Sequence, residues 1–140
     1  MKYQLLTDET TFHNGRTLYR IQSLIDFSDV KSGDKGGWIE KESNLSQYYN
    51  AWVYDNAKVY DYARVYDNAR VSGNARVFGN AKVFGHAKVF GAALIYGNAE
   101  VREDAEVHSH AEVYGNAEVC GDAEVHSHAE VYGNVKVFST

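Results

Sequence analysis

A six-residue repeat occupies most of this chain and constrains its fold more than any other feature. From Ala51 the sequence can be written in blocks of six, which begin AWVYDN, AKVYDY, ARVYDN and ARVSGN and continue to VKVFST. Ala opens every block up to Ala129, Val135 opens the last, and Val or Ile follows two positions later. Because each repeat is one structural unit, this period has to be interpreted before any local propensity.

The alternation inside each block predicts a short strand followed by a corner. Ala and Val point inward, and the charged residue between them and the residue after them point outward. The Gly-Asn, Asp-Asn or Ser-His pair that follows predicts a turn, because Gly, Asn and Asp tolerate a positive φ. A regular succession of strands and corners predicts a solenoid.

The blocks resemble the hexapeptide-repeat, left-handed parallel β-helix family, in which a small residue stands two positions before an aliphatic one. The resemblance covers about two-thirds of the chain. The resemblance implies an all-β fold, a triangular solenoid with 18 residues in each coil. Left-handed coiling is implied by the resemblance alone and not by the periodicity. The stretch DFSDVKSGDKGGWIEKESNLSQ and the repeats after it also resemble bacterial and phage proteins that are described only as hexapeptide-repeat or polymer-forming proteins.

The chain divides into an N-terminal cap, residues 1–44, and a β-helix, residues 45–140. Asn14-Gly15 lies between KYQLL and TLYRIQSLI and predicts a two-residue hairpin turn. An irregular segment follows the hairpin, and together they are expected to cover the open strand edges of the first coil. Leu45, and Ile39 before it, fall on the spacing of the small residues, which suggests that the coil begins before Ala51.

Residues 18 apart should stack about 4.8 Å from each other on the same wall of the solenoid. One outward column then forms a continuous aromatic ladder, which consists of Tyr60, Phe78, Tyr96, Tyr114 and Tyr132. Stacking within the molecule could be the ladder's whole role. Because monomers rarely expose so long an apolar strip, the ladder could also be an interface.

The outward charges change sign along the repeat. The basic residues that we expect in a dimer interface beside the ladder are Arg64, Arg70, Lys82 and Lys88. The acidic residues that we expect to bind a protein partner are Glu100, Glu106, Glu112, Glu118, Glu124 and Glu130. Two antiparallel rods would place the basic half of each against the acidic half of the other, so an antiparallel homodimer is predicted. Drift of duplicated repeats and end-to-end docking through Val135, Val137 and Phe138 are the alternatives.

Two His-Ser-His triplets are weak candidates for a metal site. His108 should stack on His126, and His110 on His128, and imidazole is a common ligand of zinc, nickel and copper. His110 and His128, however, occupy a corner position that is elsewhere held by Asn. We therefore expect the four imidazoles to decorate turns and ladders, and we expect no metal and no other cofactor. The single cysteine, Cys120, excludes an internal disulfide and a cysteine-based zinc cluster.

These patterns favour a non-catalytic binding or scaffold module with a protein partner. One specific form is a phage-type inhibitor that blocks a host nucleic-acid-handling or defence enzyme through an acidic, aromatic-striped surface. The alternative is an acyltransferase that uses acetyl-coenzyme A, an activity that the family resemblance implies for many relatives. The net charge of -5 disfavours direct nucleic-acid binding. Without a secretory signal or a long apolar run, a cytoplasmic location and no membrane contact are expected.

Overall fold

The six-residue blocks form short parallel strands joined by corners, as the computed structural model of all 140 residues shows. The strands are β1 (Tyr3–His13), β2 (Arg16–Ser23), β3 (Lys35–Ile39), β4 (Trp52–Val53), β5 (Lys58–Val59), β6 (Arg64–Val65), β7 (Arg70–Val71), β8 (Arg76–Val77), β9 (Lys82–Val83), β10 (Lys88–Val89), β11 (Leu94–Ile95), β12 (Glu100–Val101), β13 (Glu106–Val107), β14 (Glu112–Val113), β15 (Glu118–Gly121), β16 (Glu124–Val125), β17 (Glu130–Val131) and β18 (Lys136–Ser139). One 3-10 helix spans Glu42–Asn44, and no helix is long and apolar enough to cross a membrane.

Three parallel sheets form the walls of a solenoid of about six coils. Wall A contains β3, β5, β8, β11, β14 and β17, and the β1–β2 hairpin extends it at the N-terminal edge. Wall B contains β4, β7, β10, β13 and β16, and wall C contains β6, β9, β12, β15 and β18. From β4 onward all parallel pairs join residues 18 apart, such as Val53 with Val71 and Val89 with Val107. The predicted 18-residue coil is therefore confirmed.

The core is a stack of Ala and Val side chains. Every Ala and Val or Ile of the two inward positions is at most 5% exposed from Ala51 to Val125. Burial of an aliphatic side chain contributes about 1.5 to 3 kcal/mol, and the layers repeat with each coil. The inward alternation that the sequence predicts is thus the main source of stability.

The first coil has a different register from the one that the six-residue spacing predicts. Ile39 pairs with Val59, and Leu45 pairs with Val65, so each partner is 20 residues away. Both side chains therefore stand in the Val column, and their predicted place in the small-residue column is wrong. The physical reason is a longer corner, residues 46–50, which holds two more residues than later corners. The coil does begin before Ala51, because β3 is already part of wall A.

The N-terminus covers the open end of this first coil. The predicted hairpin is confirmed, with Asn14 at φ 50° and Gly15 at φ 76° in its turn. The Lys2 ammonium is buried and donates to the carbonyls of Tyr48, Tyr49 and Ala51, at 3.4, 3.2 and 2.7 Å. Burial lowers the pKa of Lys2 to about 8. Lys2 thus satisfies carbonyl groups that have no strand above them.

Trp52 anchors the irregular segment between β2 and β3. It occupies an outward position on wall B, yet it is 1% exposed because Phe27 and Tyr3 pack edge-on against its ring, at 5.2 and 6.1 Å. Asp29 of the same segment accepts a hydrogen bond from the Tyr54 hydroxyl at 2.8 Å. The segment therefore closes the side of the first coil on wall B.

The corners require a residue with positive φ, and Gly97 provides a test of that requirement. At φ +68°, a Cβ on Gly97 would stand 2.8 Å from the Gly115 nitrogen one coil below. Asp61 holds the equivalent position two coils above at φ 59°, and its carboxylate accepts from the Gly79 N–H at 3.1 Å. Acidic residues in this position gain the hydrogen bond, as Glu103 does from the Gly121 N–H at 2.7 Å, whereas Ser109 and Ser127 adopt the same positive φ without it.

We expect Gly97→Ala to destabilise the protein by about 1 to 2 kcal/mol, because alanine in this conformation is strained and gains nothing. Gly97→Asn should recover much of that loss, since Asn tolerates the left-handed region and offers an oxygen to the Gly115 N–H. Thermal unfolding of both variants measures the difference. Equal loss of stability in both variants would contradict this account of the corners.

Candidate functional site

The aromatic ladder on wall A is a continuous stack. Successive ring centroids from Tyr60 to Tyr132 lie 5.1, 5.0, 4.9 and 5.3 Å apart, and neighbouring rings are within 13° of parallel. Phe78, Tyr96 and Tyr114 are half-buried in the stack, and Tyr132 is 56% exposed. The predicted ladder is therefore present, with its ring edges on the outer surface of one wall.

The hairpin tip covers the first rung of this ladder. His13 packs edge-on against the Tyr60 ring at 5.3 Å, and the Asn14 amide donates to the Tyr60 hydroxyl at 3.2 Å. Tyr60 is consequently 2% exposed. Burial, Arg76 and Lys58 all lower the pKa of His13, in that order of importance. Only the later four rungs of the predicted interface column are accessible.

Three of the six glutamates of the acidic half are held by a regular hydrogen-bond pattern. The side chain that follows Val or Ile in one coil donates to the glutamate 16 residues later, in the next coil. Tyr96 donates to Glu112 at 2.9 Å, Tyr114 to Glu130 at 2.8 Å, and Arg102 to Glu118 at 2.8 Å.

The two bonded tyrosines have raised pKa values. Burial and then the bond to Glu112 raise the pKa of Tyr96 to about 12. The bond to Glu130, followed by burial, raises the pKa of Tyr114 to about 12. Both phenols therefore remain protonated donors well above neutral pH.

The six predicted partner-binding glutamates do not share one face. Glu112 and Glu130 lie on wall A, Glu106 and Glu124 on wall B, and Glu100 and Glu118 on wall C. They form a belt around the later coils. Glu100 and Glu106 are half-buried and neither forms an ion pair or a side-chain hydrogen bond, although each stands in register with a lysine, Lys82 and Lys88 respectively.

The predicted dimer residues also lie on three walls. The ladder is on wall A, Arg64 and Lys82 are on wall C, and Arg70 and Lys88 are on wall B. A single flat contact cannot include all of them. Arg70 is already engaged, since its guanidinium donates to the Ser28 hydroxyl at 3.1 Å and lies 3.8 Å from Asp29.

The histidine triplets stack as predicted on wall B and its following corner. The ring centroids of His108 and His126 are 5.6 Å apart, and those of His110 and His128 are 4.9 Å apart. Glu124 lies near both rings of the first pair, 3.6 Å from the His108 Nε2 and 4.0 Å from the His126 Nε2. No group of three or more His, Cys, Asp or Glu side chains is arranged to hold a metal ion.

A polar groove beside wall B was not predicted from the sequence. It encloses about 800 Å³ and runs from basic to acidic side chains. Its lining residues are Ser28, Asn50, Asn68, Arg70, His86, Lys88, Asp104, Glu106 and Asp122. Five of these form one corner column with an 18-residue spacing. This 18-residue spacing is visible in the sequence and was the signal from which the groove could have been predicted.

The comparison with protein families agrees with the architecture. A family model described as YdcK beta solenoid repeat matches residues 63–77 and 69–85. The observed fold and the matching family model therefore both indicate a β-solenoid built from repeats. The matched residues span β6 to β9 and the corners between them, about a sixth of the chain. No curated protein matches the chain.

Proposed function

We propose that this chain is a non-catalytic binding and scaffold module that acts through the side chains of its walls. The observation that carries this proposal is the reversal of charge along every wall, from basic residues in the early coils to glutamates in the later ones, with one further cation, Lys136, at the end of wall C. The parallel strands hold these charges at fixed spacing on a rigid support. Complementary surfaces of this kind steer association and select partners.

The charge order is unfavourable within one molecule. Lys58 stacks beside Arg76, and Glu100 beside Glu118, so like charges are neighbours in the same column. Like charges directly opposite on adjacent strands destabilise a sheet. Opposite charges from another molecule would relieve that repulsion in both halves of the rod at once. An antiparallel homodimer provides this arrangement.

Sedimentation velocity of the full chain over a concentration series tests the homodimer. We expect a monomer–dimer equilibrium at about 50 mM NaCl, with the dimer fraction falling steeply toward about 500 mM because salt screens exposed charge pairs. The salt series is its own control, since apolar association does not weaken with added salt. A single monomeric species at low salt and at all concentrations would refute self-association.

A second protein partner is the other part of the proposal. Asp104, Glu106 and Asp122 form the acidic end of the groove beside wall B, close to the belt of glutamates. Rows of carboxylates resemble the charge pattern of a nucleic-acid backbone and suit the basic cleft of a nucleic-acid-handling enzyme. We propose with this partner a phage-type inhibitor that acts in the cytoplasm, a function suggested by the resemblance to hexapeptide-repeat and phage proteins.

The acyltransferase alternative belongs to a different class of function. It would require acetyl-coenzyme A to bind against the walls and a base positioned beside it. A thermal shift with acetyl-coenzyme A, compared with coenzyme A alone, separates it from a binding module. The binding module is favoured here because the charge reversal has a direct physical use in association.

A further inference from the structure

The charges along the outward column of wall A are antisymmetric. If the order of the column is reversed and every charge changes sign, the same series of charges results. After Trp38 of β3, its outward column consists of Lys58, Arg76, Leu94, Glu112 and Glu130, in the order of the coils. Two cations precede the leucine and two carboxylates follow it. Leu94 is the uncharged centre of the column.

The charges at both ends of this column have capacity for another partner. Neither Lys58 nor Arg76 forms an ion pair within the molecule. Glu112 and Glu130 each accept a tyrosine hydroxyl through one carboxylate oxygen, Oε1. A carboxylate can accept further hydrogen bonds through its other oxygen.

We propose that wall A is the contact between two antiparallel copies of this chain, with the two-fold axis passing beside Leu94. In this arrangement Leu94 faces Leu94 of the second copy. Arg76 faces Glu112 of the second copy, and Lys58 faces Glu130, so the symmetry produces each charge pair twice. The inference rests on the proposed self-association and assigns its surface and register.

The centre of wall A has the composition of an interface core. Phe78, Tyr96 and Tyr114 of the ladder lie beside Leu94, while Arg76 and Glu112 are its direct neighbours on the adjacent strands and Lys58 and Glu130 lie one coil farther out. Fully buried interface cores are depleted of charge and rich in aromatic residues, with polar residues at the rim. Tyrosine contributes a large rigid surface at low entropic cost.

Walls B and C fit a two-fold contact less well. On wall B, Arg70 is already held by Ser28 and Asp29, and Trp52 is buried beneath the N-terminal segment. On wall C the column ends in Lys136, which leaves one cation without a counterpart. Neither column has an apolar residue at its centre.

The size of wall A predicts a weak dimer. Five coils at about 4.8 Å and a wall of about 17 Å give a face on the order of 400 Å² per protomer. Standard interfaces bury about 800 Å² per partner. The hairpin tip packs over Tyr60 and so covers part of the basic end of this face, which reduces the available area further. We therefore expect monomer and dimer to coexist over the concentration series at low salt.

A cysteine at the proposed axis gives the sharpest test. We expect Leu94→Cys to form an intermolecular disulfide under mild oxidation, because the two thiols face each other across the axis. Lys82→Cys on wall C is the matched control, and the native Cys120 is buried in both proteins. Cross-linking of Leu94→Cys that is no faster than that of Lys82→Cys would overturn the proposal.

Charge exchange on wall A gives a second test that does not depend on a disulfide. Arg76→Glu alone, and Glu112→Arg alone, should each weaken the dimer at least tenfold in sedimentation at low salt. The double variant should recover most of that loss, since the pair is restored across the axis with its signs exchanged. Lys82→Glu on wall C should change the dissociation constant less than twofold.

These outcomes separate the two levels of the proposal. A parent chain that never dimerises refutes self-association itself. If the unmodified chain dimerises and every wall A variant has the same dissociation constant, self-association stands, but wall A is not its contact surface. Recovery in the double variant would be incompatible with a fold defect as the cause of the single-variant losses.

Discussion

A variant that lacks residues 93–110 is expected to fold into the same stack with one coil fewer. The deletion removes β11, β12 and β13, one strand from each wall, and joins Ala92 to Ala111. Every inward position stays inward, and Tyr114 takes the place of Tyr96 below Phe78. Because solenoid stability is approximately a sum over neighbouring repeats, the melting temperature should fall by several degrees without loss of cooperativity.

A deletion of residues 93–99 is the matched control, although it removes less of the chain. An odd number of residues reverses the alternation after the junction. Glu100 and Arg102 would then point inward and Val101 outward. Burying charges without partners costs far more than one coil contributes, so the residues after the junction should remain unfolded.

Circular dichroism and limited proteolysis of both variants measure this difference. We expect the first variant to resist protease over its whole length, and the second to lose the residues after the junction. Equal protease resistance in the two variants would show that the coil register does not govern the fold.

The repeated part of the fold could be predicted because its information is periodic. Val53 and Val71 are partners for the same reason as Val89 and Val107, so one correct spacing fixes all three walls. The first coil could not be predicted in the same way. Its longer corner, residues 46–50, has no counterpart in the repeat, and nothing local indicates that Ile39 aligns with Val59.

The contacts between columns were also missed. Stacked residues of one column are 18 apart, whereas the bonds of Tyr96 and Tyr114 to glutamates join residues 16 apart. The residue 16 positions before each glutamate carried a signal. Tyr96, Arg102 and Tyr114 can donate a hydrogen bond, whereas Phe84 and Phe90, which precede Glu100 and Glu106, cannot. The burial of Tyr60 under His13 had no such signal, because it depends on how the hairpin folds back.

A leucine in place of Ala105 is expected to destabilise the protein by about 3 kcal/mol, at the upper end of the range for overpacked cores. Ala105 is fully buried on wall B, and its carbonyl accepts from the Lys88 N–H at 3.0 Å. Alanines also occupy this position in the coils above and below. Three added carbon atoms therefore meet a neighbouring layer that is hydrogen-bonded in place and cannot retreat.

The neighbouring outward position provides the control, because it carries the same substitution on the other face of the strand. Glu106→Leu should change the free energy of unfolding by no more than about 0.5 kcal/mol, as surface substitutions usually do. Urea unfolding of both variants gives the comparison. If Ala105→Leu proved as stable as Glu106→Leu, the small-residue column would not be limited by volume. The exception at Val135 fits the same argument, since that valine lies in the last coil and is 52% exposed.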